Sequence, residues 1–181
     1  RNINILLNMS RLLEKPSVCD ISKSEDKWII SRLNSLVKKV TKELEALHPH
    51  TASRSLLDFW LNDLSRGYIQ FVRDRLAQKD KQAEYVLSYC YIELLKMCAI
   101  FTPFIADHVW QNLREKGLVK EESVHLCDWP AVDAKKINKK LESEMQTALE
   151  VIEKGLAVMD QAQMGLKWPL AKAEIKCIEH L

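Results

Sequence analysis

Ser24-Glu25-Asp26-Lys27-Trp28-Ile29-Ile30-Ser31-Arg32-Leu33-Asn34-Ser35-Leu36-Val37-Lys38-Lys39-Val40 is the stretch that decides the fold class. Ile29, Leu33, Leu36, Val37 and Val40 recur every three or four residues, and Leu44 and Leu47 continue the series. That period places one apolar stripe along a helix facing a core. Ser24 is a suitable N-cap, and Glu25 and Asp26 put acid in the first turn, where the helix dipole favours it. Pro49 restricts the residue before it, so the helix is expected to end near His48.

The same period appears on both sides. Upstream, Ile3, Leu6, Leu7, Met9, Leu12 and Leu13 pattern Asn2–Leu13 as a helix, and Glu14–Lys23 reads as a loop. Downstream, Thr51 is a candidate cap for a third helix striped by Leu57, Trp60, Leu61, Leu64, Tyr68, Phe71 and Val72, with Gly67 a candidate kink. Asp80 suits the cap of a fourth, striped by Val86, Tyr89, Cys90, Leu94, Met97 and Phe101. Thr102-Pro103 fits the cap and first position of another, ending near Glu115 and Gly117. Leu118–Ala134 is a connector. Leu141, Met145, Leu149, Ile152, Leu156 and Met159 line a last helix that Gly165 ends. Residues 171–178 alternate apolar with charged, a strand pattern whose sheet partners are expected outside this sequence. The pattern predicts an all-α, up-and-down bundle of about five helices over residues 1–164, and the start of a C-terminal appendage with a short β segment over 165–181. Because Arg1 already sits in a helical pattern, further sequence is expected before it.

Composition agrees. The chain has 181 residues, 47% hydrophobic and 29% charged, enough for one core without disulfides or metals. Only 4 glycines and 5 prolines argue against a turn-rich β fold. The 5 cysteines are odd in number and form no CxxC; Cys90 and Cys98 read as small core hydrophobes of a reduced cytoplasmic protein. No apolar run is long enough to span a membrane, so no membrane partner is expected. The scattered glycines leave no phosphate-cradling loop; His48 and His50 flank a proline and read as a loop rather than a metal site, and His125 with Cys127 reads as an ordinary connector packing on the bundle. Catalytic and metal sites are therefore expected to be absent from this sequence.

With a net charge of only +2, any nucleic-acid surface must be local. Arg66, Arg73, Arg75, Lys79 and Lys81 gather along the end of the third helix and the turn after it, interrupted by Asp74 and Asp80. Arg66 and Arg73 lie two helical turns apart and share a face. Tyr68 and Phe71 fall between them. Two readings stay open: guanidiniums beside aromatic rings suit unstacked bases and phosphates, and the same pattern describes a solvated face with its aromatics turned inward. Lys135, Lys136, Lys139 and Lys140 form a second cluster, against the dipole at the start of the last helix.

Five short runs carry a resemblance. Asp26–Asn34 is similar to the D-[RK]-W-[IL]-[LI]-S-[RK]-L-N segment of class I aminoacyl-tRNA synthetases for isoleucine, valine and leucine. Asp58-Phe59 with Asp63-Leu64-Ser65-Arg66-Gly67-Tyr68 resembles a run of the isoleucyl enzymes, with Gly67 in place of tryptophan. Phe101–Asp107, the block Val124-His125-Leu126 with Asp128-Trp129-Pro130, and Lys167-Trp168-Pro169-Leu170 resemble further runs in the family's order, Asp107 replacing glutamate and Lys167 replacing arginine. The resemblance implies a helical anticodon-binding domain. Its partner would be the anticodon stem-loop of a tRNA, and its residues near RNA would be Arg1, Asn2, Arg66, Arg73, Arg75, Lys79, Lys167 and Trp168. It implies a catalytic domain elsewhere in the same chain, with ATP and magnesium as that domain's cofactors and none here, and a cytoplasmic monomer. The valyl or leucyl counterpart, or a helical scaffold that binds proteins, is the alternative.

Overall fold

A computed structural model describes residues 13, 20–165, 172 and 174. Among the described residues all regular structure is helical: α1 (Ser24–Glu45), α2 (Pro49–Asp58), a π-helical segment (Phe59–Tyr68), α3 (Ile69–Ala77), α4 (Lys81–Cys98), α5 (Pro103–Glu115) and α6 (Lys139–Gln161), with single 3-10 turns at Val124–Leu126 and Ala134–Lys136. The expected helix Asn2–Leu13 and the alternating segment 171–178 lie outside the described residues, apart from Leu13, which is buried, and Lys172 and Glu174, which pair at 2.5 Å. The chain divides into two compact units between Asn138 and Lys139.

In the first unit α1 is central. It packs against α2, the π-helical segment, α4 and the second 3-10 turn. Trp28, Ile29, Leu33 and Val40 are essentially without exposure, and Ile30, Leu36 and Val37 are nearly so. Each such aliphatic side chain contributes roughly 1.5–3 kcal/mol relative to exposure. Phe59, Leu64, Tyr68, Val72, Val86, Leu87, Tyr91, Leu94, Val109 and Trp110 complete the core from the surrounding helices. Cys90 and Cys98 lie within it, and burial pushes the Cys98 thiol up to about 12.

Two sequence-predicted caps are corrected. Ser24 is the first helical residue of α1 rather than its cap, a position held by Lys23 without a side-chain bond. α2 begins at Pro49 behind His48, two residues before Thr51, because proline's fixed φ suits the first helical position. Asp80 does cap α4: its Oδ1 accepts from the Gln82 and Ala83 amides at 2.9 and 3.3 Å. Thr102 and Pro103 take the cap and first positions of α5, although the Thr102 hydroxyl donates back to the Cys98 carbonyl at 3.1 Å.

α2, the π-helical segment and α3 follow one another through residues in helical conformation, so they form one continuous rod. Gly67 belongs to the wide segment. A Cβ there would meet the Asn62 carbonyl oxygen at 3.0 Å and Trp28 Cη2 at 3.1 Å. The sequence marked this position as a kink; the structure makes it the place where α1's tryptophan approaches the rod's backbone.

Four helix ends close in the same way, the amide beyond the turn donating five residues back: His48 to Glu43 at 2.7 Å, Asp80 to Arg75 at 3.0 Å, Leu118 to Leu113 at 3.0 Å and Met164 to Met159 at 2.9 Å. The closure puts one residue in the left-handed region, namely Leu47 (φ 58°), Lys79 (φ 56°), Gly117 (φ 71°) and Gln163 (φ 51°). Of these, Gly117 is the residue type that adopts it without strain.

After α5 the chain returns along α1. The Ser123 hydroxyl donates to Asp107 Oδ1 at 2.5 Å, and the Val124 amide donates to the same oxygen at 3.3 Å, fixing the start of the first 3-10 turn. These bonds, Ser123's first, hold the Asp107 carboxyl below its usual range. Trp129 Nε1 then donates to Thr41 Oγ1 at 2.9 Å, the Asp133 amide to Asn34 Oδ1 at 2.8 Å, and the Asn138 amide to Ser31 Oγ at 2.8 Å. The strap thus runs antiparallel to α1. In the second unit, α6 offsets its opening lysines with carboxylates one turn on: Lys139 with Glu142 at 2.9 Å and Lys140 with Glu144 at 3.9 Å.

Candidate nucleic-acid interface

The basic residues at the end of the rod separate into two groups. Arg66, in the last turn of the π-helical segment, is exposed and donates to Asn62 Oδ1 at 3.3 Å. Arg73, in α3, is also exposed, and Gln70 lies exposed between them. These two arginines share the solvent face, as their spacing predicts. Lys79, in the turn between α3 and α4, is exposed as well.

Arg75 faces the other way. Its side chain is only 14% exposed. Nη2 and Nη1 donate to the two oxygens of Asp26 at 2.9 and 3.0 Å, Nη1 also to Glu25 Oε1 at 2.8 Å, and Nε to Asp80 Oδ2 at 2.8 Å. Asp26 itself is fully buried and accepts a further 2.7 Å hydrogen bond from the Tyr68 hydroxyl. Burial pulls the Arg75 pKa down, but the hydrogen bonds to Asp26 and Asp80 more than offset this and the net displacement is upward. Burial, then the Asp26 carboxylate, raises Tyr68 far above an ordinary phenol. A guanidinium so engaged joins three helix ends: the start of α1, the end of α3 and the start of α4.

The aromatic residues resolve in favour of the inward reading. Tyr68 is buried, and Phe71 packs edge-on against Trp28, ring centroids 6.1 Å apart. The rod therefore offers exposed charge without a stacking platform from these two rings. In the second lysine cluster, Lys136 pairs with Asp133 at 3.5 Å and lies 5.9 Å from the centre of the Tyr89 ring. Arg1, Asn2, Lys167 and Trp168 lie outside the described residues. Among the described residues no three histidine, cysteine or carboxylate side chains are grouped to hold a metal, and no helix is long and apolar enough to cross a membrane.

Sequence reasoning missed the structural work of the polar residues in Asp26–Asn34. Asp26 receives Arg75 and Tyr68. Ser31 and Asn34 accept the strap's amides, and Arg32 donates to Asp63 Oδ2 at 3.0 and 2.7 Å. One signal was present: Asp26, Ser31 and Asn34 share a short segment with Trp28, Ile29, Ile30 and Leu33, and polar groups buried among such residues need partners, since an unpaired one costs roughly 1–3 kcal/mol.

One consequence is testable by pH. The Arg75 hydrogen bond is the leading cause holding Asp80 well below the usual carboxylate range. In the unfolded chain Asp80 returns to an ordinary value, about 4. As pH falls the unfolded state takes up the proton first, so Asp80's stabilising contribution is complete above that value and is lost below it. Denaturant midpoints should fall as pH drops below about 5 and go on falling toward the lowest pH at which the chain stays folded, and the fall should be shallower in Asp80→Ser. An equal drop in both proteins would remove Asp80 as its carrier.

Comparison with known proteins supplies the family. The profile described as anticodon-binding domain of tRNA ligase matches residues 26–175. The isoleucine–tRNA ligase of Methanosarcina mazei is 35% identical over 95% of this chain and 18% of that protein. That of Methanothrix thermoacetophila is 39% identical over 100% of the chain and 19% of the protein, and that of Pyrococcus abyssi 38% over 85% and 15%. The chain thus spans less than a fifth of the length of the relatives it matches. From the matched profile, which runs from α1 through α6, the chain belongs to the family of anticodon-binding domains of tRNA ligases.

Proposed function

We propose that this chain is the tRNA-reading part of an isoleucine–tRNA ligase. It would bind the anticodon stem-loop while a catalytic domain elsewhere in the same protein, using ATP and magnesium, attaches isoleucine. The observation that carries this reading is the family match, joined to relatives that are isoleucine–tRNA ligases over 85–100% of this chain. The geometry supports it with Arg66 and Arg73, exposed on one face. Arginine offers phosphate a planar fork of donors, and such contacts position RNA while releasing counterions. The protein is proposed to act as a cytoplasmic monomer. Protein docking is a second reading, favoured by Phe104 at 88% and Ile100 at 55% exposure around the start of α5.

A labelled anticodon stem-loop RNA, titrated at about 50 mM and about 200 mM salt, tests the reading. Affinity should fall with salt. Arg66→Gln with Arg73→Gln should weaken binding and reduce the salt slope by about 1.4–1.8, at about 0.7–0.9 for each phosphate no longer neutralised. Unchanged affinity in the double variant would reject this face as the site. No binding by the parent chain would reject RNA recognition by the chain itself.

A further inference from the structure

Resting on that reading, we infer that Tyr85 and Tyr89 of α4 form a stacking platform for an unpaired base of the RNA loop, with Lys81, Lys135 and Lys136 beside it for the phosphates.

The rod offers exposed cations, but Tyr68 and Phe71 are turned inward and give an unpaired base no aromatic face. α4 supplies one. Tyr85 and Tyr89 lie one helical turn apart and share a face. Their rings are nearly parallel, 14° between planes, with centroids 6.3 Å apart. Both residues are half-buried, so each ring is held by its surroundings and still reaches solvent. Neither hydroxyl has a hydrogen-bond partner among the described residues. Burial, then Glu93, pushes the Tyr89 phenol up to about 12, so it stays a neutral donor that does not repel phosphate.

The cations stand at the edges of this pair. Lys81 is one turn before Tyr85 on the same face of α4. The 3-10 turn Ala134–Lys136 brings the others: Lys136 Nζ lies 5.9 Å from the centre of the Tyr89 ring, and Lys135 is its neighbour in sequence. The Asp133 amide's 2.8 Å bond to Asn34 Oδ1 pins that turn to α1, so the lysines are in place before RNA arrives. Carboxylates approach as well. Asp133 is paired with Lys136 at 3.5 Å and Glu93 with Lys96 at 2.8 Å. Glu84, next to Tyr85, then stands against Lys81 and Lys135, which are exposed and enter no ion pair among the described residues. An aromatic face edged by cations suits single-stranded RNA, because stacking holds the base whatever its identity while ammonium groups meet the backbone.

The experiment titrates stem-loop RNA with the chain and its variants, with denaturant unfolding measured on each protein. Tyr85→Leu removes the ring and keeps apolar bulk, and Tyr85→Phe keeps the ring. Tyr85→Leu should weaken binding about five- to a hundredfold with the salt slope unchanged, since stacking neutralises no phosphate. Tyr85→Phe should bind within about twofold of the parent, because the π-face remains. Lys135→Gln should instead lower the salt slope by about 0.7, the single-strand value for one phosphate. A fluorescent purine whose emission falls on stacking, placed at successive loop positions, should be quenched at one of them by the parent and Tyr85→Phe but not by Tyr85→Leu. A Tyr85→Leu protein that binds like the parent overturns the proposal, as does quenching that is independent of Tyr85 at every position. A purely structural ring would shift the unfolding midpoint and leave the affinity of the folded protein unchanged. An unstructured single-stranded RNA separates this inference from the reading beneath it. Tyr85-dependent binding of that RNA by a chain that ignores the stem-loop would sink the anticodon reading and keep the platform; binding to neither sinks both.

Discussion

Arg75→Ala is expected to destabilise the first unit by about 3–5 kcal/mol, the range for removing one partner of a buried charge pair. The cause lies in what remains. Asp26 has no exposure, and without Arg75 its carboxylate keeps only the Tyr68 hydroxyl among the bonds found at its oxygens. Glu25 and Asp80, once held apart around a cation, would then repel. The loss reaches α1, α3 and α4 together because the guanidinium contacts an end of each. Denaturant unfolding followed by circular dichroism measures it directly. A change under about 1 kcal/mol would be the size of a solvent-screened surface pair and would place the network outside the core.

Trp28→Ala should have a comparable effect, about 3–5 kcal/mol, the range for truncating a buried tryptophan. Trp28 is 1% exposed, lies edge-on to Phe71 and reaches within 3.1 Å of the position a Gly67 Cβ would take. The ring and the glycine therefore depend on one another. Gly67→Ala in the parent should destabilise by about 1–2 kcal/mol, since overpacking opposes the gain in helix propensity and one obstructing atom is a backbone carbonyl. In the Trp28→Ala background the penalty should shrink, because part of the obstruction has gone. Equal penalties in both backgrounds would place the obstruction at Asn62 alone.

Much of the fold was legible because helical burial repeats with a period that survives in the letters. Ile29, Leu33, Leu36 and Val40 predicted α1's buried face, and Asp80 and Pro103 marked two helix starts correctly. The cap at Ser24 failed by one residue because serine, here followed by acid, suits the first turn nearly as well as the cap. The π-helical segment was visible only as a glycine in a helical pattern, since a widened turn keeps its apolar residues inside. Part of the site was legible for the same reason: the seven-residue spacing of Arg66 and Arg73 fixed their common face. Arg75 was not, because its partners Glu25 and Asp26 stand 50 and 49 residues away and no local pattern encodes that approach. Its fifth-neighbour carboxylate, Asp80, was within view but already explained as a cap.

The strap's attachment to α1 divides freedom to vary unevenly between the two strands of chain. At two of its three anchors the strap gives a main-chain amide, which every residue but proline possesses, while α1 gives a particular side-chain oxygen, Ser31 Oγ or Asn34 Oδ1. Residues 133 and 138 can therefore be rewritten, proline excepted, with those anchors kept, whereas replacing Ser31 or Asn34 by an apolar residue forfeits an anchor outright. Two of the polar letters that look out of place in α1 are thus an address for a passing backbone, indifferent to which side chains arrive on it.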